Sequence, residues 1–230
     1  MSCYFEQSDC FVFLKKQQTA SIDLIYIDPP FGTTKQFWDS KLDWKQLFLQ
    51  FFRILKKTGM LVIHSSQPFT YELIRSAPKP PLYNWVWNKG GAPTGYLSAN
   101  HQPLRCCEEI LIWKKEKTTY YRQQIGDEER VSCTANKSGY TNPVAPRRKT
   151  IVKGKTRTHY LDSKRQFDGF STRPREILEL MIKSYSQEGD TVLDCFCYRG
   201  ISGVVCRELG RRWIGSDKYF LPTLLMTQKN

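Results

Sequence analysis

The sequence predicts an α/β fold in which a mixed, mostly parallel sheet is covered by helices and presents its working residues at the carboxyl ends of strands. Three observations predict it. The run Ile22-Asp23-Leu24-Ile25-Tyr26-Ile27 reads as a buried strand that stops at Asp28-Pro29-Pro30-Phe31, where two prolines withdraw their amide donors. Near the other end, Thr191-Val192-Leu193-Asp194 reads as a second strand. It passes through a turn containing Gly200 into a helix with Ile201, Val204, Val205 and Leu209 on one face. Arg212-Trp213-Ile214-Gly215-Ser216-Asp217 then supplies a third short strand that ends in an acid.

The remaining elements follow in chain order. Trp44, Leu47, Phe48, Phe51, Phe52 and Leu55 recur at spacings of three and four, so Asp43 to Lys56 is predicted to be an amphipathic helix. Its aromatic stripe packs on the sheet and is not available to stack on bases. Gly59 leads into Met60-Leu61-Val62-Ile63, and Asn84-Trp85-Val86-Trp87 and Glu109-Ile110-Leu111-Ile112-Trp113 follow; all three read as strands. Ile177, Leu178, Met181, Ile182 and Tyr185 form another helical stripe, with Pro174 near its start. From about residue 90 to residue 170, Pro, Gly, Asn and Lys interrupt any period, and so long an irregular segment in a compact domain is functional or disordered. With 230 residues, 40% of them hydrophobic, the chain can form one domain over residues 1–230 with that stretch as an insertion.

No run of about 18 apolar residues is present. Met1-Ser2-Cys3-Tyr4-Phe5-Glu6 lacks the basic-then-apolar pattern of an export signal, so a cytoplasmic protein without a membrane span is expected. None of the eight cysteines forms a C-x-x-C pair, and adjacent Cys106 and Cys107 with His101 nearby do not make a metal centre. No metal is expected, and the thiols are read as reduced.

The chemistry-bearing residues point to a planar base and a nucleotide-like cofactor. Two prolines fix two φ angles, Asp28 adds a carboxylate acceptor and Phe31 a flat apolar face, a set that suits an exocyclic amino group on a planar base. Asp217 falls about 20 residues beyond the glycine turn, the spacing at which nucleotide-binding α/β folds set a carboxylate on ribose hydroxyls. A cofactor carrying an adenosine is therefore expected. The formal net charge is +13, and between Lys137 and Arg175 eleven Lys or Arg stand against Asp162 and Asp168. Arg147, Arg148, Lys149, Lys153, Lys155 and Arg157 are interleaved or flanked there by Tyr140, His159, Tyr160 and Phe167, a mixture that suits phosphate neutralisation with stacking on bases.

The order Asp28-Pro29-Pro30-Phe31, a basic middle, Ser171-Thr172-Arg173-Pro174, and last Asp194-Cys195-Phe196 with Gly200 resembles the β group of S-adenosylmethionine-dependent DNA amino-methyltransferases. Ser8-Asp9-Cys10 resembles that family's Gly-Asp segment beside the cofactor's adenine, and Ser171 to Pro174 resembles its Thr-Gln-Lys-Pro segment. Gly95 to Asn100, with Pro103-Leu104-Arg105, is similar to a stretch of phage and bacterial adenine methylases.

The resemblance implies a Rossmann-like three-layer methyltransferase fold, a target-recognition insertion over about residues 90–170, and methyl transfer from S-adenosylmethionine to the N6 amine of a flipped adenine in DNA. It implies that Asp28, Pro29, Pro30 and Phe31 hold the base. Asp9, Cys10, Arg173, Pro174, Asp194, Phe196, Gly200, Ser202 and Asp217 would hold the cofactor, and Arg105 would join the basic residues on DNA. Family members are often homodimers. The family's cofactor loop reads Asp-Pro-Phe-x-Gly-Ser-Gly-Thr-Thr, whereas Cys195, Tyr198, Arg199 and Ile201 stand at four of those positions here. Other readings are a methyltransferase acting on the N4 amine of cytosine, a cofactor-free DNA-binding or partner subunit, and an enzyme acting on RNA.

Overall fold

The computed structural model describes residues 2–91, 93–134, 148–164, 166–167 and 171–223. In chain order the elements are β1 (Cys3–Gln7), α1 (Cys10–Lys16), β2 (Ile22–Ile27), α2 (Trp44–Ile54), β3 (Leu55–Ser65), α3 (Phe69–Ser76), β4 (Tyr83–Asn88) and β5 (Cys107–Lys114). There follow β6 (Gln124–Thr134), β7 (Arg148–Thr156), β8 (Tyr160–Asp162), β9 (Gln166–Phe167), β10 (Ser171–Thr172), α4 (Arg175–Tyr185), β11 (Thr191–Asp194), α5 (Ile201–Glu208) and β12 (Arg212–Asp217). Eight strands form one sheet in the order β1-β12-β11-β2-β3-β5-β4-β8. All neighbours run parallel except β5, which is antiparallel to both β3 and β4.

Successive strand residues point to opposite faces, and here both faces are covered, which is why the strands read as continuous apolar runs. On one face Ile25, Ile27, Leu61, Ile63 and Leu193 pack with α1, α2 and α3 through Phe13, Phe48, Phe51 and Phe69. On the other, Leu24, Tyr26, Met60, Val62 and Val192 pack with α4 and α5 through Ile177, Met181, Val205 and Cys206. The result is the expected three-layer α/β fold.

The predicted helix at 43–56 is α2, capped by Asp43, whose carboxylate accepts from the Gln46 amide at 3.1 Å. It ends two residues early because Leu55 already pairs with Ile22 as the first residue of β3. Trp213 on β12 lies across Gly215 and Gly203: a Cβ at Gly215 would come within 2.0 Å of its ring. Those two glycines are therefore required by close approach.

The residues divide into two compact units, one running up to Tyr121 and resuming at His159, the other Arg122–Thr158. The irregular stretch 90–170 is thus not one separate block, because β5 and β8 within it are strands of the main sheet. The second unit is an antiparallel pair in which β6 and β7 place Glu129 opposite Lys153 and Cys133 opposite Lys149. Among the described residues no helix is long and apolar enough to cross a membrane.

Candidate functional site

Because β2, β3, β11 and β12 are parallel, their carboxyl ends share one edge of the sheet, the edge at which open α/β folds bind ligands. That edge carries Asp28 just after β2, Asp194 at the end of β11 and Asp217 at the end of β12. β2 and β11 are direct neighbours, with Leu193 opposite Ile25, so Asp28 and Asp194 terminate adjacent strands.

Asp28 is held by one oxygen. Its Oδ1 accepts from Arg173 Nη2 at 2.6 Å, the side chain is 32% exposed, and Oδ2 has no hydrogen-bond partner among the described residues. Arg173 also places Nη1 2.5 Å from Glu108 Oε2, and its guanidinium lies 5.3 Å from the centre of the Trp87 ring. Burial alone would lower the Arg173 pKa, but Asp28 and Glu108 outweigh it and hold the group above its ordinary value. Glu108 Oε1 lies 3.4 Å from Lys89 Nζ, which donates to Thr94 Oγ1 at 3.0 Å. In the same loop Pro29 is buried, and Phe31 stacks on Phe69 of α3 at 4.9 Å between ring centres. Asp39 closes the loop by accepting from the amides of Gly32, Thr33 and Thr34 at 2.6–3.0 Å. Burial works against ionisation of Asp39, yet these bonds prevail and lower its pKa.

The second half of the edge is a cradle of backbone amides and carboxylates. Asp194 Oδ2 accepts from Ser202 Oγ at 2.5 Å and Oδ1 from the Phe196 amide at 3.0 Å. Burial pushes the Asp194 carboxyl up to about 7, helped by Asp217 and Asp28 and opposed by those two hydrogen bonds. Ser202 Oγ in turn accepts from Trp213 Nε1 at 3.2 Å. Asp217 accepts three backbone N–H bonds, from Tyr198 at 2.8 Å, Tyr219 at 2.9 Å and Phe220 at 3.0 Å. Gly200 opens α5 at φ +81°. At the neighbouring strand end Asp9 caps α1, accepting from Phe11 at 2.9 Å, and Lys218 Nζ lies 3.6 Å from its Oδ2. Burial pushes the Cys10 thiol up to about 12 and holds Cys195 and Cys197 well above the ordinary value, so none of them is a thiolate nucleophile near neutral pH.

A model of the DNA methylase family, the N6/N4 methyltransferases, matches residues 22–220, which takes in Asp28, Arg173, Asp194 and Asp217 alike. The chain belongs to this family. Among its relatives is the type II methyltransferase M1.MboII of Moraxella bovis, 29% identical over 92% of this chain and 90% of that protein. The fold is shared with M1.HpyAVI, solved with SAM, at a TM-score of 0.62 and 16% identity over 99% and 98% of the two chains. It is shared equally with the cytosine-N4-specific PvuII DNA methyltransferase, at 0.64 and 14% over 94% and 82%.

In this methylase the departure at Tyr198 takes a specific form. Tyr198 adopts φ +47°, the left-handed region in which glycine is at ease, and the backbone follows the path that the family's glycine permits. The strain of about 1–2 kcal/mol is offset by the Tyr198 amide bond to Asp217 and by the ring, which meets Phe220 edge-on at 4.6 Å. An aromatic contact of this kind is worth about 0.5–1.5 kcal/mol. Tyr198→Gly is therefore expected to leave stability within about 1 kcal/mol of the parent, because strain and contact are lost together. Thermal melts check this, and a loss above about 3 kcal/mol would mean that the tyrosine ring has become part of the core.

The residues predicted for the base, Asp28 to Phe31, form one loop at the edge, and Asp9, Cys10, Asp194, Phe196, Gly200, Ser202 and Asp217 gather beside it. Arg173 faces Asp28 and Glu108, and Pro174 is the buried cap of α4. Arg105 Nη1 donates to the Gln67 carbonyl at 3.0 Å. Lys153 and Lys155 are exposed on β7, Arg157 is half-buried just beyond it, Arg148 and Lys149 begin that strand, and Arg147 lies outside the described residues. Sequence reasoning missed Glu108, Lys89, Asp39 and His64. The last is fully buried, with Nε2 2.7 Å from Tyr26 Oη, and burial followed by Arg173 keeps it neutral.

Proposed function

We propose that this methylase transfers the methyl group of S-adenosylmethionine to the N6 amine of an adenine turned out of DNA. The observation that carries the reading is Asp28, a carboxylate fixed by one oxygen and open at the other, on a proline-stiffened loop beside the acid and glycine turn of β11. Asp28 Oδ2 and the Pro29 carbonyl accept the two amino hydrogens, which orients the nitrogen lone pair and offsets the positive charge that the amine develops. Phe31, backed by Phe69, lies against the base. S-adenosylmethionine supplies an electrophilic methyl group on a sulfonium. Asp28 Oδ2, on the exposed side of the carboxylate, would take the proton that the methylated amine must lose and pass it to solvent. Direct transfer needs no covalent enzyme intermediate, in keeping with protonated cysteines.

In this reading Asp194, Phe196, Gly200 and Ser202 shape the amino-acid end of the cofactor site, and Asp9 and Cys10 border its adenine. Asp217 already accepts three backbone bonds, which leaves about one acceptor position of four for a ribose hydroxyl. Arg105, Arg147, Arg148, Lys149, Lys153, Lys155 and Arg157 neutralise DNA phosphates, and target recognition resides within about residues 90–170. A DNA substrate fits a cytoplasmic location.

Titration of the purified protein with S-adenosylmethionine tests the reading, followed by labelled-methyl transfer to DNA and nucleoside analysis of the product. Micromolar binding and N6-methyladenine are expected; N4-methylcytosine would correct the target. Absence of binding heat together with an unchanged melting temperature would overturn the enzyme.

A further inference from the structure

We infer that Arg173 is a positioning residue for the Asp28 carboxylate, held in turn by Glu108, and not a ligand of the cofactor. This rests on the role of Asp28 proposed above and concerns how that side chain is aimed. The prolines fix the backbone of the Asp28 loop, but the carboxylate still has two side-chain torsions, and a base held by two acceptors needs one definite plane. Arg173 removes that freedom. One guanidinium nitrogen donates to Asp28 Oδ1 at 2.6 Å while the other lies 2.5 Å from Glu108 Oε2 as an ion pair, an arrangement that a planar, spread-out guanidinium makes and a compact ammonium does not.

The guanidinium itself has little room to move. Pro174 caps α4 directly after it, and the indole of Trp87 lies beneath the guanidinium at 5.3 Å. Trp87 Nε1 is anchored on the Ser163 carbonyl at 2.8 Å. Glu108 is fixed from its other oxygen by Lys89, so two cations and two carboxylates alternate from β4 and β5 to the end of β2. Tyr26, His64, Cys107 and Asp194 are titratable groups that also face this cluster. Nη2 is committed to Asp28 by a hydrogen bond and Nη1 to Glu108 by charge, while Nε has no hydrogen-bond partner among the described residues. Among the described residues the partners recorded for this side chain are Asp28, Glu108 and Trp87, none of which is in the loop between Asp194 and Gly200.

The test is a set of variants in the full chain, each read for folding by circular dichroism, for S-adenosylmethionine Kd by titration and for kcat and KM in DNA methylation. Arg173→Gln is expected to lower kcat by about 10- to 100-fold while Kd and both KM values stay within about twofold. Arg173→Lys, which keeps the charge and loses the planar guanidinium, is expected to recover part of that loss. Arg173→Gln combined with Glu108→Gln removes one charge of each sign; it is expected to melt near the parent temperature and still be slow. Added to Asp28→Ala, the Arg173→Gln change should lower kcat no further, since there is no carboxylate left to aim.

A Kd raised tenfold or more by Arg173→Gln with kcat preserved would make Arg173 a cofactor ligand and overturn the inference. So would a charge-balanced double variant that turns over like the parent. If Asp28→Ala itself still transfers methyl groups, it is the proposed function that fails, whatever Arg173 does.

Discussion

Asp28→Ala is expected to lower kcat for methyl transfer by about 10²- to 10⁴-fold while S-adenosylmethionine binds within about twofold of the parent. The range is that of removing one positioned proton-accepting group from a reacting centre, and the separation from binding follows from place. Asp28 lies after β2, whereas the cradle of Asp194, Gly200 and Asp217 is built by β11, α5 and β12. Asp28→Asn should be nearly as inactive, for a reason specific to this site. Arg173 offers only donors, so the amide turns its oxygen to Arg173 and its NH₂ outward, putting a donor where the substrate amine needs an acceptor. Stability should fall only modestly in either variant, because Glu108 still pairs with Arg173 and Asp28 is one-third open to water. Single-turnover methylation with excess enzyme checks the chemical step apart from DNA release. Transfer at the parental rate would remove Asp28 from the mechanism.

Much of this edge was legible in the sequence because its signals are local. A strand that ends at Pro29-Pro30, a stripe of aromatics at three and four, and a glycine followed by a helix are all read within a dozen residues, and β2, α2, β11, α5 and β12 lie where those patterns put them. β1, α1 and α3 were not read, since each is short. α1 is announced only by Asp9, whose capping bond is as good a reason for an acid there as any contact with a cofactor. Glu108 and Lys89 are illegible for another reason. The meaning of Glu108 lies in a pairing with Arg173 across more than sixty positions, and that of Lys89 in its contact with Glu108, neither of which any period or spacing encodes. Tyr198 is a third case. The sequence showed a residue ill-suited to positive φ, and the structure shows that conformation retained, with Asp217 and Phe220 holding it.

Asp194→Asn is expected to flatten the pH dependence of stability, with the largest difference from the parent above pH 7. Burial, reinforced by Asp217 and Asp28, puts the folded-state pKa of Asp194 at about 7, above the usual aspartate value. The native state therefore holds a proton that the unfolded chain releases near pH 4, and this residue makes stability fall as pH rises from about 4 to 7 and then level off. Three pKa units correspond to an upper limit on the order of 4 kcal/mol. Asparagine does not titrate, so the gap between variant and parent should widen across that window whatever the neutral amide costs at Ser202. Denaturant unfolding at pH 5, 6, 7 and 8 reads the gap directly, and parallel curves would show that Asp194 is ionised throughout. The same residue links stability to the proposed cofactor. S-adenosylmethionine is cationic at its sulfonium and ammonium groups, so it favours the ionised carboxylate and its affinity for the parent should increase from pH 6 to pH 8. In Asp194→Asn that increase should disappear. A buried acid poised near neutrality would then be stabilised in its charged form by the cation that the proposed site would hold.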